Sequence, residues 1–244
     1  MKAYLDNNIL ISIEDKQIDL ESIKKLSEQG IDFVYSYAHL DELLEAKDED
    51  GSLTSKRINT ILEATKNHYS YPTGDLIEFR FEDPNNVIRE IRRHPELNTT
   101  LRMSIQNFHV DRAEIIRQLG INKIQLNDYK AEEVVNYLNT ILLKQNSSID
   151  FIQMINSSGL MLHEKISSVF NFLDIFGYKT DKKNDKSDIA RANDATHVFF
   201  ATGCDYFVSN DKRARNKATV AYELLDIKTK VHSYNEFKEI KTSA

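Results

Sequence analysis

Cysteine is nearly absent. The chain of 244 residues holds 1, Cys204, which excludes an intramolecular disulfide and a thiolate zinc cluster. Cys204 itself is expected to be buried and inert. Long apolar runs are absent as well, and none approaches the ~18 residues of a membrane span. There is no excess of basic charge. The net charge of −6 gives no overall pull toward nucleic acid or an anionic membrane, although a local basic patch can serve. No secretory signal is read, because Met1-Lys2 leads straight into a strand-like run ending at Asp6; the cytoplasm is the expected compartment. No internal repeat or low-complexity segment is evident. What is there suits a folded soluble protein, 41% hydrophobic and 29% charged. The length allows one large domain, or one domain with a substantial insertion, around a sizeable core.

The most informative stretch runs from Ser187 to Arg213. Ala195, Val198, Phe199 and Thr202 recur at helical spacing from Asp188 onward. Gly203 is expected to stop that helix in a left-handed cap. Asp205 to Ser209 is short and rich in aromatic and branched residues, so it reads as a buried strand ending in Asn210-Asp211. One carboxylate, Asp194, thus lies on the helix and another, Asp211, at the strand's carboxyl end.

At the other end of the chain, Lys2 to Leu5 is strand-like and ends in Asp6-Asn7-Asn8. Asp19 to Gln29 reads as a helix capped by Gly30, and Ile31 to Tyr35 as a second strand. Ser36 looks like the N-cap of a helix that carries Glu42. Thr54 to His68 reads as a helix, Tyr71-Pro72-Thr73-Gly74 as a turn, and Leu76 to Glu82 as a half-exposed strand. From Asn85 to about Gly177 the pattern is almost wholly helical. Its segments are Val87–Arg93, Thr100–Leu119, Asp128–Lys144 and two more between Asp150 and Phe176. Arg89, Arg92, Arg93, Arg102, Arg112 and Arg117 there read as solvated faces with local ion pairs more readily than as a phosphate site. Lys179 to Ser187 reads as a loop, Arg213 to Leu225 as a helix, and Lys228 to Tyr234 as a last strand.

Alternation of strand and helix at both ends argues for a parallel α/β sheet. Crossovers are right-handed, so the carboxyl ends of the strands share one edge, where open α/β sheets bind ligands. Asp6, Glu42 and Asp211 reach that edge, and Asp194 joins from its helix. Like charges gathered there raise each other's pKa unless something positive sits between them. An oxygen-only set suits a hard divalent cation, Mg²⁺ or Mn²⁺, which activates water and neutralises phosphate charge. Each acid also has a plainer reading: Asp6 as a turn or cap residue, Glu42 as a solvated helix glutamate. Asp188 rivals Asp194 but reads as a helix N-cap. Asp41 rivals Glu42 but points about 100° away on the helix. His197 shares roughly a face with Asp194 and could orient it or touch substrate, or be a packed or surface histidine. Lys212 and Arg213 could grip a phosphate, or simply start a solvated helix.

Taken together, Asp6-Asn7-Asn8, the Ser36 to Glu42-Leu43 segment, Asp194-x-x-His197 with Ala201, Ser209-Asn210-Asp211, and Val231 with Phe237 resemble the ordered motifs of the PIN-domain nucleases. The likeness covers about residues 1–70 and 185–240. The resemblance implies a three-layer α/β/α fold with a central, mostly parallel sheet. Residues 1–84 and 177–244 would form the nuclease domain and residues 85–176 a helical insertion packed on it. It implies a metal-dependent ribonuclease with Asp6, Glu42, Asp194 and Asp211 as metal ligands, Asn8 holding Asp6, and Ser209 as a polar supporting residue. Ser209 stands where threonine is usual. The chain also exceeds the small toxin members, whose partner is an antitoxin protein, and they have no counterpart to the helical block.

The expected function is therefore an endoribonuclease that hydrolyses RNA with a water activated by Mg²⁺ or Mn²⁺. The helical insertion would shape substrate choice or form a homodimer. Two alternatives stand beside it: a binding or assembly module that kept the fold and lost the chemistry, and a structure-specific DNase of the flap-nuclease type.

Overall fold

Branched and aromatic residues make Lys2–Leu5 the central strand β1, whose last three residues are buried. The computed structural model describes residues 1–244 except 47, 94–111, 145–150, 157–158, 181–184 and 241–244. By internal contacts the chain divides into two units. Met1–Leu101, Phe200–Arg215 and Thr229–Ala244 form the first; Arg102–Phe199 and Asn216–Lys228 form the second.

The first unit carries a six-stranded sheet in the order β4-β3-β2-β1-β5-β6. The further strands are β2 (Asp32–Ser36), β3 (His68–Thr73), β4 (Leu76–Phe81), β5 (Tyr206–Val208) and β6 (Lys230–His232). All neighbours pair parallel except β3 and β4, an antiparallel hairpin. The fold is thus α/β with a mixed, mostly parallel sheet, as the alternation predicts. From β1 the chain moves outward through β2, β3 and β4, then returns to β5 and β6 on the other side. The strand order therefore reverses between β1 and β5, the usual place for a ligand crevice in such sheets. The helices α1 (Asn7–Glu14), α2 (Leu20–Glu28), α3 (Tyr37–Glu45), α4 (Ser52–Thr65) and α5 (Pro84–Arg93) follow the first strands. Leu5, Ile9, Leu10, Phe33, Leu40 and Ile61 are among the buried residues of their common core.

Two local readings of this unit need correction. His68 to Thr73 is a strand, where the sequence suggests a helix end and a turn; α4 stops at Thr65, and Lys66 and Asn67 follow with φ of 49° and 65°. Pro72 is tolerated because β2 pairs with β3 only as far as Ser70, so the missing N–H interrupts no ladder on that side. Gly203 is not left-handed. Its φ is not among the positive values, and smallness is what the position requires: an added Cβ would lie 2.8 Å from Ile77 Cβ.

The second unit is helical. It holds α6 (Arg112–Leu119), α7 (Lys123–Asp128), α8 (Ala131–Lys144), α9 (Phe151–Asn156) and α10 (Leu162–Ile175). Most of α11 (Asp185–Ala201) and α12 (Lys212–Leu224) also belongs to it. The helix α11 begins before Asp188, which therefore lies within the helix and is not its N-cap, and the expected loop from Lys179 is correspondingly shorter. The first part of the expected Thr100–Leu119 helix, with Arg102, and the His94-Pro95 break lie outside the described residues. Asp174, at the end of α10, is buried and accepts from Arg191 Nη1 at 2.7 Å, from Lys217 Nζ, and from Arg112 Nη2 at 3.4 Å. Burial pushes its carboxyl up, but Lys217 and Arg191 outweigh that and hold it below the usual carboxylate range. Arg93 pairs with Glu90 and Arg117 with Glu114 on exposed helix faces, as the arginine-rich pattern suggests. Among the described residues, no helix is long and apolar enough to cross a membrane.

Candidate active site

Strand register brings the first acid to its partner. Leu5 lies opposite Val208, so the residues that follow them, Asp6 and Ser209, leave the sheet side by side. The Asp6 N–H donates to the Val208 carbonyl at 2.8 Å. Ser209 Oγ donates to Asp6 Oδ2 at 2.6 Å. Asn8 Nδ2 donates to the same carboxylate oxygen and, at 2.9 Å, to Ser209 Oγ. Asp6 Oδ1 accepts from the Asn7 N–H at 2.7 Å, which makes Asp6 the N-cap of α1. Asp6 is thus the helix cap that the plainer reading expects, and it is only 5% exposed.

The same hydrogen bonds reach Asp211. Its N–H donates to Ser209 Oγ at 3.1 Å, and Asn8 Oδ1 accepts from the Asn210 N–H at 2.9 Å. Asp211 Oδ1 accepts from the N–H groups of Arg213 and Ala214, at 2.6 and 3.1 Å, and so caps α12. Asp211, Lys212 and Arg213 are exposed. Arg215 Nη1 donates to the Ser209 carbonyl at 2.6 Å and ties the first turn of α12 to the strand end.

Glu42 comes to this edge from α3. Asn7 Nδ2 donates to Glu42 Oε2, so a single residue holds Asp6 through its backbone and Glu42 through its side chain. Asn7 Oδ1 accepts in turn from Arg57 Nη1 at 2.5 Å. Arg57, on α4, is also paired with Glu14 of α1, with Nη2 to Oε2 at 3.1 Å. Both side chains of this pair are almost wholly buried, at 6% and 3% exposure.

Beneath the acids lies a buried polar knot. The Ser36 N–H donates to His39 Nδ1 at 3.0 Å. Nδ1 must then be the bare nitrogen, and Nε2–H donates to the Leu5 carbonyl at 2.7 Å. His39 is thus a neutral imidazole that fastens the end of β1 to the start of α3, and Glu42 follows it by three residues on the same helix face. Tyr4 shares a 2.6 Å hydrogen bond with Ser36 Oγ. Burial pushes the Tyr4 phenol up, and the charges of Asp6 and Glu42 push it further.

Three of the four expected acids, Asp6, Glu42 and Asp211, therefore belong to the sheet unit and are joined by Asn7, Asn8 and Ser209. Asp194 is half-buried on α11 and falls in the second unit, with His197, which is 1% exposed. Cys204 is buried, and burial pushes its thiol well up, as an inert cysteine requires. The sequence reading missed Asn7, His39, Arg57 and Glu14. Arg57 carried a signal, since it falls on the stripe of Ile58 and Ile61, where a solvated arginine does not belong.

The sequence matches no protein-family model, and comparison with curated proteins and with solved structures gave no match. The reading of this edge therefore rests on its own chemistry. Its donors are carboxylate, amide and hydroxyl oxygens, the set that suits a hard cation such as Mg²⁺ or Mn²⁺. Among the described residues, no three His, Cys, Asp or Glu side chains stand together as a group placed to hold a metal ion. The bonds given above reach Asp6 and Glu42 from amide and hydroxyl donors.

Proposed function

We propose that this protein is a divalent-metal-dependent endoribonuclease of the PIN-like kind, with a three-layer arrangement about its sheet. The observation that carries the reading is the hydrogen-bonded chain Glu42–Asn7–Asp6–Ser209–Asp211. It lies across the carboxyl ends of three neighbouring strands, at the point where the strand order reverses. Asp6, Glu42 and Asp211 would hold Mg²⁺ or Mn²⁺. Such an ion supplies activation of a water and neutralisation of charge on the phosphate. The remaining work falls to this chain's own groups. Asn8 and Ser209 keep Asp6 in one rotamer, Asn7 keeps Glu42 turned to the edge, and Lys212 and Arg213 offer cations to an RNA phosphate. Asp194 and His197 have no assigned part in this scheme.

A catalytically silent binding module is the second reading. It is favoured by the helix caps that Asp6 and Asp211 supply, which give both acids a structural task without an ion. Incubation with unstructured RNA separates the two readings. The nuclease reading expects internal cleavage with Mn²⁺ or Mg²⁺ and none after chelation. RNA that stays intact with either ion, under conditions in which the protein is folded, contradicts it.

A further inference from the structure

The outer edge of β4 is built to receive a copy of itself. Among the described residues no strand pairs with that edge, since β4 ends the strand order. Open edges are ordinarily blunted by charged side chains (lysine above all), proline or a bulge. The strand Leu-Ile-Glu-Phe-Arg-Phe has no lysine, proline or bulge, its two charges are of opposite sign, and its register with β3 is continuous. Leu76 and Phe81 are 70% and 74% exposed.

Backbone parity decides which groups the edge offers. Residues 67 and 82 face each other in the β3–β4 register, and the Glu82 N–H donates to the Asn67 carbonyl at 2.9 Å. Pairs that bond in this way alternate along an antiparallel ladder. Arg80, Glu78 and Leu76 therefore spend their backbone groups on β3, while Ile77, Phe79 and Phe81 point theirs outward. Pro72, which has no N–H, faces Ile77 at one of the non-bonded positions, as this parity demands.

We propose that two copies of the chain pair antiparallel along β4, with Phe79 at the two-fold axis. In that register Phe79 bonds to its own copy and Ile77 bonds to Phe81 of the other chain, so every outward backbone group finds a partner. The same register sets Glu78 of each chain directly opposite Arg80 of the other, in the close non-bonded positions where cross-strand charge pairs interact. Both side chains are exposed. Among the described residues Glu78 has no ion pair, and Arg80 is 3.8 Å from Glu82 and 4.1 Å from the Tyr71 ring centroid. A slip of one residue would break the backbone parity, and a slip of two either way would set Glu78 against Glu78 or Arg80 against Arg80. Hydrogen-bond phase and charge together therefore select this register, which makes the pairing self-complementary and closed.

Sedimentation of the full chain tests this. The wild type is expected at twice its 28.3 kDa chain mass. E78R and R80E, each placing like charges opposite one another twice, are expected to weaken the dimer about tenfold or more. Mixing E78R with R80E is expected to restore a two-chain species, because the two-arginine strand then meets the two-glutamate strand. Helical circular dichroism unchanged in both variants confirms that they fold. A wild type at the single-chain mass up to its solubility limit, variants as dimeric as the wild type, or a mixture that forms no hybrid would each overturn the proposal.

Discussion

Asp6→Asn is expected to remove RNA cleavage almost entirely while leaving the fold in place. Asparagine is nearly the same shape and still caps a helix, so Oδ1 can keep its bond to the Asn7 N–H. The other oxygen becomes an amide nitrogen facing Asn8 Nδ2, a donor against a donor, and Ser209 Oγ must turn to accept. The larger change is the loss of the buried Asp6 charge at the junction of β1 and β5. Removing a preorganised electrostatic group of this kind costs about 10²–10³-fold in rate, and loss of a metal ligand should cost at least as much. The measurement is kcat/KM on RNA, beside a thermal melt. Wild-type cleavage by a folded Asp6→Asn protein would show that Asp6 is only a helix cap.

Arg57→Met is expected to be the most damaging single change to stability in the sheet unit. It leaves Glu14 buried with its ion-pair partner gone and leaves Asn7 Oδ1 without the guanidinium that orients it. Breaking a buried pair by removing one partner costs about 3–5 kcal/mol, which for a chain of this size lowers the melting temperature by roughly 6–20 °C. The double change Glu14→Gln with Arg57→Met should recover part of that loss, because the stranded charge is gone. A fall of only a degree or two for Arg57→Met would mean that the pair behaves like an exposed salt bridge. Arg57 also connects stability to the site. It holds Asn7, and Asn7 holds Glu42, so milder substitutions such as Arg57→Lys should disturb Glu42 without unfolding the chain.

The strands and the acids at their ends were legible because short apolar runs closed by Asp or Asn are local signals. Lys2–Leu5 with Asp6, and Tyr206–Val208 with Asp211, follow from that pattern alone. Register was not legible. Nothing in the sequence says that Leu5 faces Val208, yet that pairing is what puts Ser209 against Asp6. β3 was hidden because Tyr71-Pro72-Thr73-Gly74 carries turn residues; only the neighbouring strand's length makes Pro72 acceptable. Gly203 suggests backbone freedom, but what it supplies is room for Ile77. Arg57, Glu14 and His39 look like surface residues one at a time. Their burial exists only because partners far away in the chain satisfy them, and a single sequence does not display such pairs.

The central claim is that the edge formed by Asp6, Glu42 and Asp211 holds a divalent ion. The most direct test is a thermal melt with and without Mn²⁺, on the wild type and on Asp211→Asn. Asp211 is exposed, and asparagine can still cap α12, so the variant's metal-free baseline should match the wild type. An ion present at about 100 times its dissociation constant adds roughly 2.7 kcal/mol. The account predicts a stabilisation of that order in the wild type that disappears in Asp211→Asn. No shift in the wild type, or an equal shift in both proteins, would contradict it.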